Sequence, residues 1–196
     1  MPKPVPRLRL SHGQAAWALA LGRPPDEKLL EQLRYLRQIG IPFNKSELGV
    51  GRGQRVEYGF EHLMEAGAAL KGLQRGMKPK DVAAFLVGNR KALQRIYRRA
   101  YLNAPEGALE QDWVKTRGQS IPGMKNELWL RLHERFSEPG KIDVLRMDEV
   151  KDLRDALSMV ERYPGEELRM LLPLTRLALE LVAWAKEAPE TRPGPQ

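Results

Sequence analysis

The amino-acid sequence predicts a mainly α-helical fold with one glycine-bent interruption, and three observations predict it. Residues 33–43 read LRYLRQIGIPF, an amphipathic helix stopped by Gly40 and Pro42. Residues 49–59 then carry Gly49, Gly51, Gly53 and Gly59 among Arg52, Arg55, Val56 and Tyr58, the punctuation of a short turn-and-strand segment. Two further helices follow, broken at Gly76 and Pro79. A helix, a small Gly-bent hairpin carrying Arg, and a helix pair in succession are the pattern of a winged helix-turn-helix with a two-stranded wing.

Taken in order, residues 1–10 are a Pro-rich basic arm (MPKPVPRLRL). Ser11 is a plausible N-cap for a helix through Leu21, with Ala15, Trp17, Ala18 and Leu21 available to pack and Gly22 ending it. Residues 23–25 (RPP) turn the chain, and Asp26 caps a second helix reaching about Ile39. On that helix Leu29, Leu33 and Leu36 share one stripe. Lys28, Gln32 and Tyr35 flank the stripe on one side, Arg34 and Arg37 on the other. A recognition helix needs this division, an apolar stripe toward its own domain and donors toward the major groove, so Lys28 and Gln32 are the candidates for base edges. Residues 43–58 would form the wing, where Lys45, Arg52 and Arg55 are placed to reach phosphates or the minor groove.

The helix expected over 60–75 turns Leu63, Met64, Leu70 and Leu73 inward. After the corner at 76–79 comes a helix over 80–102, with Val82, Phe85, Leu86, Leu93, Ile96, Tyr97 and Tyr101 at helical spacing and Gly88 as a point of division. Its other faces carry Arg90, Lys91, Arg95, Arg98 and Arg99. The expected domain boundaries are 11–88 for the winged module, 89–123 for a connecting helix and linker, 124–187 for a helical dimerisation or regulatory domain, and 188–196 for a disordered tail. Within the third of these, helices are expected over 124–137 (Leu128, Trp129, Leu132, Phe136), 148–163 and 166–187. Residues 141–147 (KIDVLRM) read as a lone strand or an extended connector.

Charge divides the chain as the motifs do. Residues 1–103 hold 19 Lys+Arg against 8 Asp+Glu, and residues 104–196 hold 14 against 17, within a total of +8. A basic half joined to a mildly acidic half suits a polyanion-binding module with a regulatory or assembly module. With no Cys there is neither a disulfide framework nor a thiolate metal or redox site. His12, His62 and His133 are far apart and show no ligand spacing. The Gly-rich interval matches no nucleotide-binding loop. Asp148-Glu149 and Glu166-Glu167 open expected helices, where capping and dipole effects account for them. No triad, metal box or phosphate loop is present, so the expectation is a non-enzyme without cofactor. No apolar run approaches membrane length and no signal-peptide core opens the chain, which predicts a soluble, cytoplasmic, nucleoid-associated protein.

Arg34-Tyr35 followed by Ile39-Gly40-Ile41-Pro42, then Arg55-Val56-Glu57-Tyr58, then Gly76-Met77 ahead of Val82 and Leu86, resemble the DNA-binding domain of the MerR family of bacterial regulators. The resemblance covers about residues 11–88. It departs at Leu36, where the family usually carries a second aromatic, and in the longer interval from Gly22 to Arg34. It implies phosphate-backbone roles for Arg34 and Tyr35 and for Arg55 and Tyr58 at the wing, a bacterial, phage or plasmid setting, double-stranded DNA as partner, and RNA polymerase as a further one. A transcriptional regulator binding as a homodimer is the reading that follows; an architectural, excisionase-like DNA-bending factor is the alternative, and an RNA-binding helical protein a third. Pairing is expected through Leu174, Leu177, Leu181 and Trp184 of the last helix, whose competing role is the core of its own domain. Trp113, Trp129 and Trp184 fit plain core better than a pocket for a flat ligand.

Overall fold

The computed structural model describes backbone and side chains at residues 4–44, 46–48, 56–104, 127–132 and 170–190, and the backbone alone at 133–138, 141–150 and 166–169. The described fold is mainly helical: α1 (His12–Leu19), α2 (Glu27–Gln38), α3 (Phe60–Gln74), α4 (Pro79–Leu102) and α5 (Leu174–Lys186), with strands β1 (Trp129–Glu138), β2 (Lys141–Val150) and β3 (Glu166–Pro173).

The first four helices start where their sequences say they should. Ser11 caps α1 in a capping box: its hydroxyl accepts from Gln14 N, and the Gln14 side chain accepts from Ser11 N at 3.0 Å. Asp26 caps α2, its carboxylate accepting from Leu29 N at 2.8 Å. Pro79 sits in the first turn of α4, where its missing N–H costs nothing. Gly88 does not divide α4, which runs through it as one helix. The basic arm is docked rather than loose over residues 4–10. Val5 and Leu8 pack on the core, and Leu10 exchanges backbone hydrogen bonds with Tyr58 at 3.1 and 2.8 Å.

The C-terminal third departs from the expected helices. Residues 129–138 form a strand: Leu128, Leu130 and Leu132 are all buried, a period of two that places every second side chain on one face. The expected helix over 124–137 had followed Leu128, Trp129, Leu132 and Phe136, which fit a helical stripe equally well. Residues 141–147 are neither lone nor a connector, since β2 pairs antiparallel with β1 from Trp129↔Val150 to Glu138↔Lys141. The expected helix over 148–163 is a strand as far as Val150, and its remainder lies outside the described residues. The expected helix over 166–187 divides at Pro173. Residues before it join β1 as β3, giving the antiparallel order β2-β1-β3, and residues after it form α5. Proline supplies no N–H to a ladder and favours a helix start, so both changes fall at one residue. Leu174 N donates to Leu128 O at 2.8 Å, and the buried Thr175 hydroxyl accepts from Leu128 N at 3.0 Å, fastening the start of α5 to the start of β1.

The core is continuous across the expected domain boundary. α5 packs against α1, α3, α4 and β1. Leu174, Leu177, Ala178, Leu179, Leu181 and Val182 are all buried, leaving α5 little free face. The proposed pairing surface is therefore interior to its own chain. Three of its residues, Leu174, Leu177 and Leu181, are core, and Trp184 covers the α1–α2 connection. Apolar periodicity shows that a helix buries a face; it does not say against what.

Trp184 explains Gly22. Gly22 has φ +72°, and a Cβ there would stand 1.9 Å from the Trp184 ring. Gly22→Ala should therefore combine left-handed backbone strain with overpacking and cost about 2–4 kcal/mol. Urea denaturation followed by Trp fluorescence reads this directly. An unshifted midpoint would mean that α5 does not close on the α1–α2 connection.

Candidate nucleic-acid interface

α2 separates an inward and an outward side as its periodicity requires. Leu33 and Leu36 are buried, Leu29 is partly so, and Arg34 and Tyr35 are exposed, Tyr35 to 45%. Arg37 is half-buried on the Arg34 flank. That flank faces the start of α1, because the charges of Arg37 and Arg34 both reach His12. Burial, then Arg37, then Arg34 hold the His12 imidazole below its usual range, so it is uncharged at neutral pH. Lys28 and Gln32 leave α2 on the opposite flank. There they edge a groove of about 620 Å³ bounded by the α1–α2 connection, α3 and α5. The candidate base-reading pair, with Tyr35 on its flank, and Arg34 with Arg37 thus stand on two sides of one helix, with Glu27 and Glu31 also exposed on it.

The chain is fastened on both sides of residues 49–55. Before them, Phe43 is buried and packs edge-on against Tyr58, ring centroids 4.7 Å apart, and against His62 at 4.6 Å. Asn44 N donates to Glu47 Oε2 at 2.6 Å, and His62 Nε2 lies 3.3 Å from Glu47 Oε1. After them, Tyr58 is bridged to Leu10, and its hydroxyl is 3.1 Å from His12 Nδ1. Gly59 N donates to His62 Nδ1 at 3.2 Å, so that ring also caps α3.

Tyr58 corrects an expectation. It is 2% exposed, and burial raises its hydroxyl pKa against the nearby Arg37. A side chain so enclosed packs against Phe43 and does not reach a phosphate. Lys45, Arg52 and Arg55 lie outside the described residues.

Beside Asn44 sits a group expected on an outer face of its helix. Arg90 is buried, with its Nε donating to Glu65 Oε2 at 2.9 Å and its Nη2 to Glu65 Oε1 at 2.6 Å. It also donates to Asn44 Oδ1 and to the Gly40 carbonyl. One guanidinium thus joins α3 and α4 to Gly40 and Asn44, just after α2. Glu65 is itself almost inaccessible; burial raises its pKa, and the hydrogen bonds and charge of Arg90 oppose that rise. The signal was present in the sequence. Arg90 lies four residues after Leu86, three before Leu93 and seven before Tyr97, on the buried stripe of α4.

No protein-family model, curated protein or solved structure matches this chain. Among the described residues, no group of three or more His, Cys, Asp or Glu gathers as a metal site, and no helix is long and apolar enough to cross a membrane.

Proposed function

We propose that this chain is a duplex-DNA-binding transcriptional regulator of MerR-like type, with α2 as its recognition helix and residues 43–58 as its wing. The observation that carries the reading is the setting of α2. Its apolar stripe is buried, Arg34 and Tyr35 face outward, and the described chain flanking the sequence that carries Lys45, Arg52 and Arg55 is anchored at Phe43, Asn44 and Tyr58. Cations on a rigid helix edge, with a second basic segment rooted beside them, suit two stretches of phosphate backbone flanking a major groove. The excess of Lys and Arg in residues 1–103 supports a polyanion as partner. Glu27 and Glu31 limit non-specific attraction along α2. In a major groove, a glutamate carboxylate has the cytosine amine as its acceptable contact.

Two copies related by a two-fold axis would read two half-sites, and a homodimer remains part of the proposal. Because Leu174, Leu177 and Leu181 are core, the pairing surface belongs elsewhere on the chain.

Selected-site binding and footprinting on genomic DNA test the reading, followed by anisotropy titrations at several salt concentrations. Arg34→Ala should weaken preferred and random duplex alike and lower the salt slope by roughly one unit. Gln32→Ala should cost about 1–3 kcal/mol on the preferred site and much less on random DNA. Equal losses on both duplexes for Gln32→Ala would remove α2 as the base reader. Cooperative coating of many sites with strong bending would assign the chain to architectural factors instead.

A further inference from the structure

The groove beside α2 has a consistent chemistry. Its accessible apolar surface comes from Leu19, Leu21, Leu29 and Leu73, with Leu70, Leu177 and Leu181 closing the space beneath them as core. Its edge carries Arg23, Lys28 and Lys71, against one lining carboxylate, Asp26, already engaged in capping α2. Glu180 on α5 lies within electrostatic reach of Lys71, which leaves Arg23 and Lys28, at the α1–α2 end, as the positive pole. At about 620 Å³ and open along one side, the space falls within the range of small-molecule sites. It is also walled on rigid elements: Gly22 and Trp184 lock the connection that bears Arg23, and Leu177 and Leu181 are fixed in the core.

We infer that this groove binds a small organic anion with an apolar body, of the fatty-carboxylate class. The carboxylate meets Arg23 and Lys28, and the chain lies along Leu19, Leu21, Leu29 and Leu73. A neutral apolar molecule would use the partly exposed leucines and leave the cations unanswered; an inorganic anion would use the cations and leave Leu19, Leu21, Leu29 and Leu73 wet. Only an amphiphile of this sign satisfies both ends. Lys28 and Gln32 edge the same groove, so an occupied groove withdraws them from base edges. Ligand and preferred site then compete, whereas attraction to random duplex through Arg34 persists. This regulatory consequence rests on the DNA reading; the binding itself does not.

The test uses the full chain and two probes of matched length, decanoate and decanol, each titrated to displace 1-anilinonaphthalene-8-sulfonate, with no DNA present. Decanoate should bind about tenfold more tightly than decanol. Arg23→Gln, which lies outside the proposed DNA contacts, should remove most of that preference while leaving decanol unchanged. Leu73→Trp, which fills the groove from its half-buried edge, should abolish displacement by both, with an unchanged urea midpoint showing that it folds. Equal affinity for the two probes, or displacement that survives Leu73→Trp, overturns the inference. So does retention on anionic vesicles without displacement by soluble decanoate, which would assign the face to a membrane surface. A second titration on DNA separates the two claims. Decanoate binding with no effect on preferred-site affinity removes the competition and leaves the groove assignment standing.

Discussion

Deleting residues 174–196 should abolish cooperative folding of the whole chain, including its basic N-terminal half. α5 contributes Leu174, Leu177, Leu179, Leu181 and Val182 to the core, all 4% exposed or less. At about 1.5–3 kcal/mol for each fully buried side chain, the loss is on the order of 10 kcal/mol, as large as the net stability of an ordinary domain. The deletion also uncovers α1, α3 and α4 together, because α5 packs against each of them, and it strips Leu128 N of its Thr175 partner. A fragment ending near residue 104 lacks α5 as well, so the same outcome is expected and no independently folded DNA-binding fragment should be obtained. Circular dichroism and urea titration of both truncations decide the matter. A fragment that melts cooperatively would show that α5 is an accessory helix and not the centre of the core. Adding α5 back as a synthetic peptide should restore helicity to the fragment, at a concentration set by the affinity of the interface.

The contrast between the two halves of the chain has a physical cause. In the first half each helix is announced locally, by Ser11 and Asp26 at N-caps, by Pro79 in a first turn, and by apolar stripes interrupted at Gly22, Gly40 and Gly76, all of which take positive φ. These signals act within a few residues and survive without knowledge of the partner. In the second half the same leucines satisfy two periods. Leu128, Leu130 and Leu132 alternate, yet Leu128 and Leu132 are also spaced for a helix, and only the paired neighbours β2 and β3 decide between them. Around Pro173 a continuous apolar run hides the change from strand to helix, and the proline itself was the available clue.

The candidate interface was legible to the same depth. That Arg34 and Tyr35 face outward follows from Leu33 and Leu36 facing inward, a relation internal to α2. The burial of Tyr58 depends on Leu10, His12 and Phe43, and His12 is 46 positions away. The groove beside Lys28 needs α5, which arrives from the far end of the chain. Contacts of this range leave no periodic trace, so pairing of titratable groups such as His12 with Tyr58 was invisible although each residue was in view.

Arg90→Ala should destabilise the protein by about 3–5 kcal/mol, the range for leaving one partner of a buried ion pair uncompensated. The substitution strands the Glu65 carboxylate and removes the donors that Asn44 and Gly40 receive from α4. Replacing both partners by apolar residues of similar size, Arg90→Met with Glu65→Leu, should recover much of the loss, since no buried charge then remains. A double-mutant cycle in urea measures the coupling. The pH dependence has a definite sign. Burial already raises the Glu65 pKa in the folded protein against the opposing pull of Arg90, and removing Arg90 removes that opposition. With its folded pKa above the unfolded value, Glu65 favours the fold when protonated, and that contribution is lost as pH rises through the folded pKa. The penalty in Arg90→Ala should therefore shrink as the solution is acidified below that raised pKa, and reach its full size toward neutrality. A penalty independent of pH would show that Glu65 is not the group left unpaired. If the proposed interface holds, the double variant should bind preferred DNA less well than its stability suggests, because Asn44 and the Gly40 carbonyl, just after α2, stay without their guanidinium.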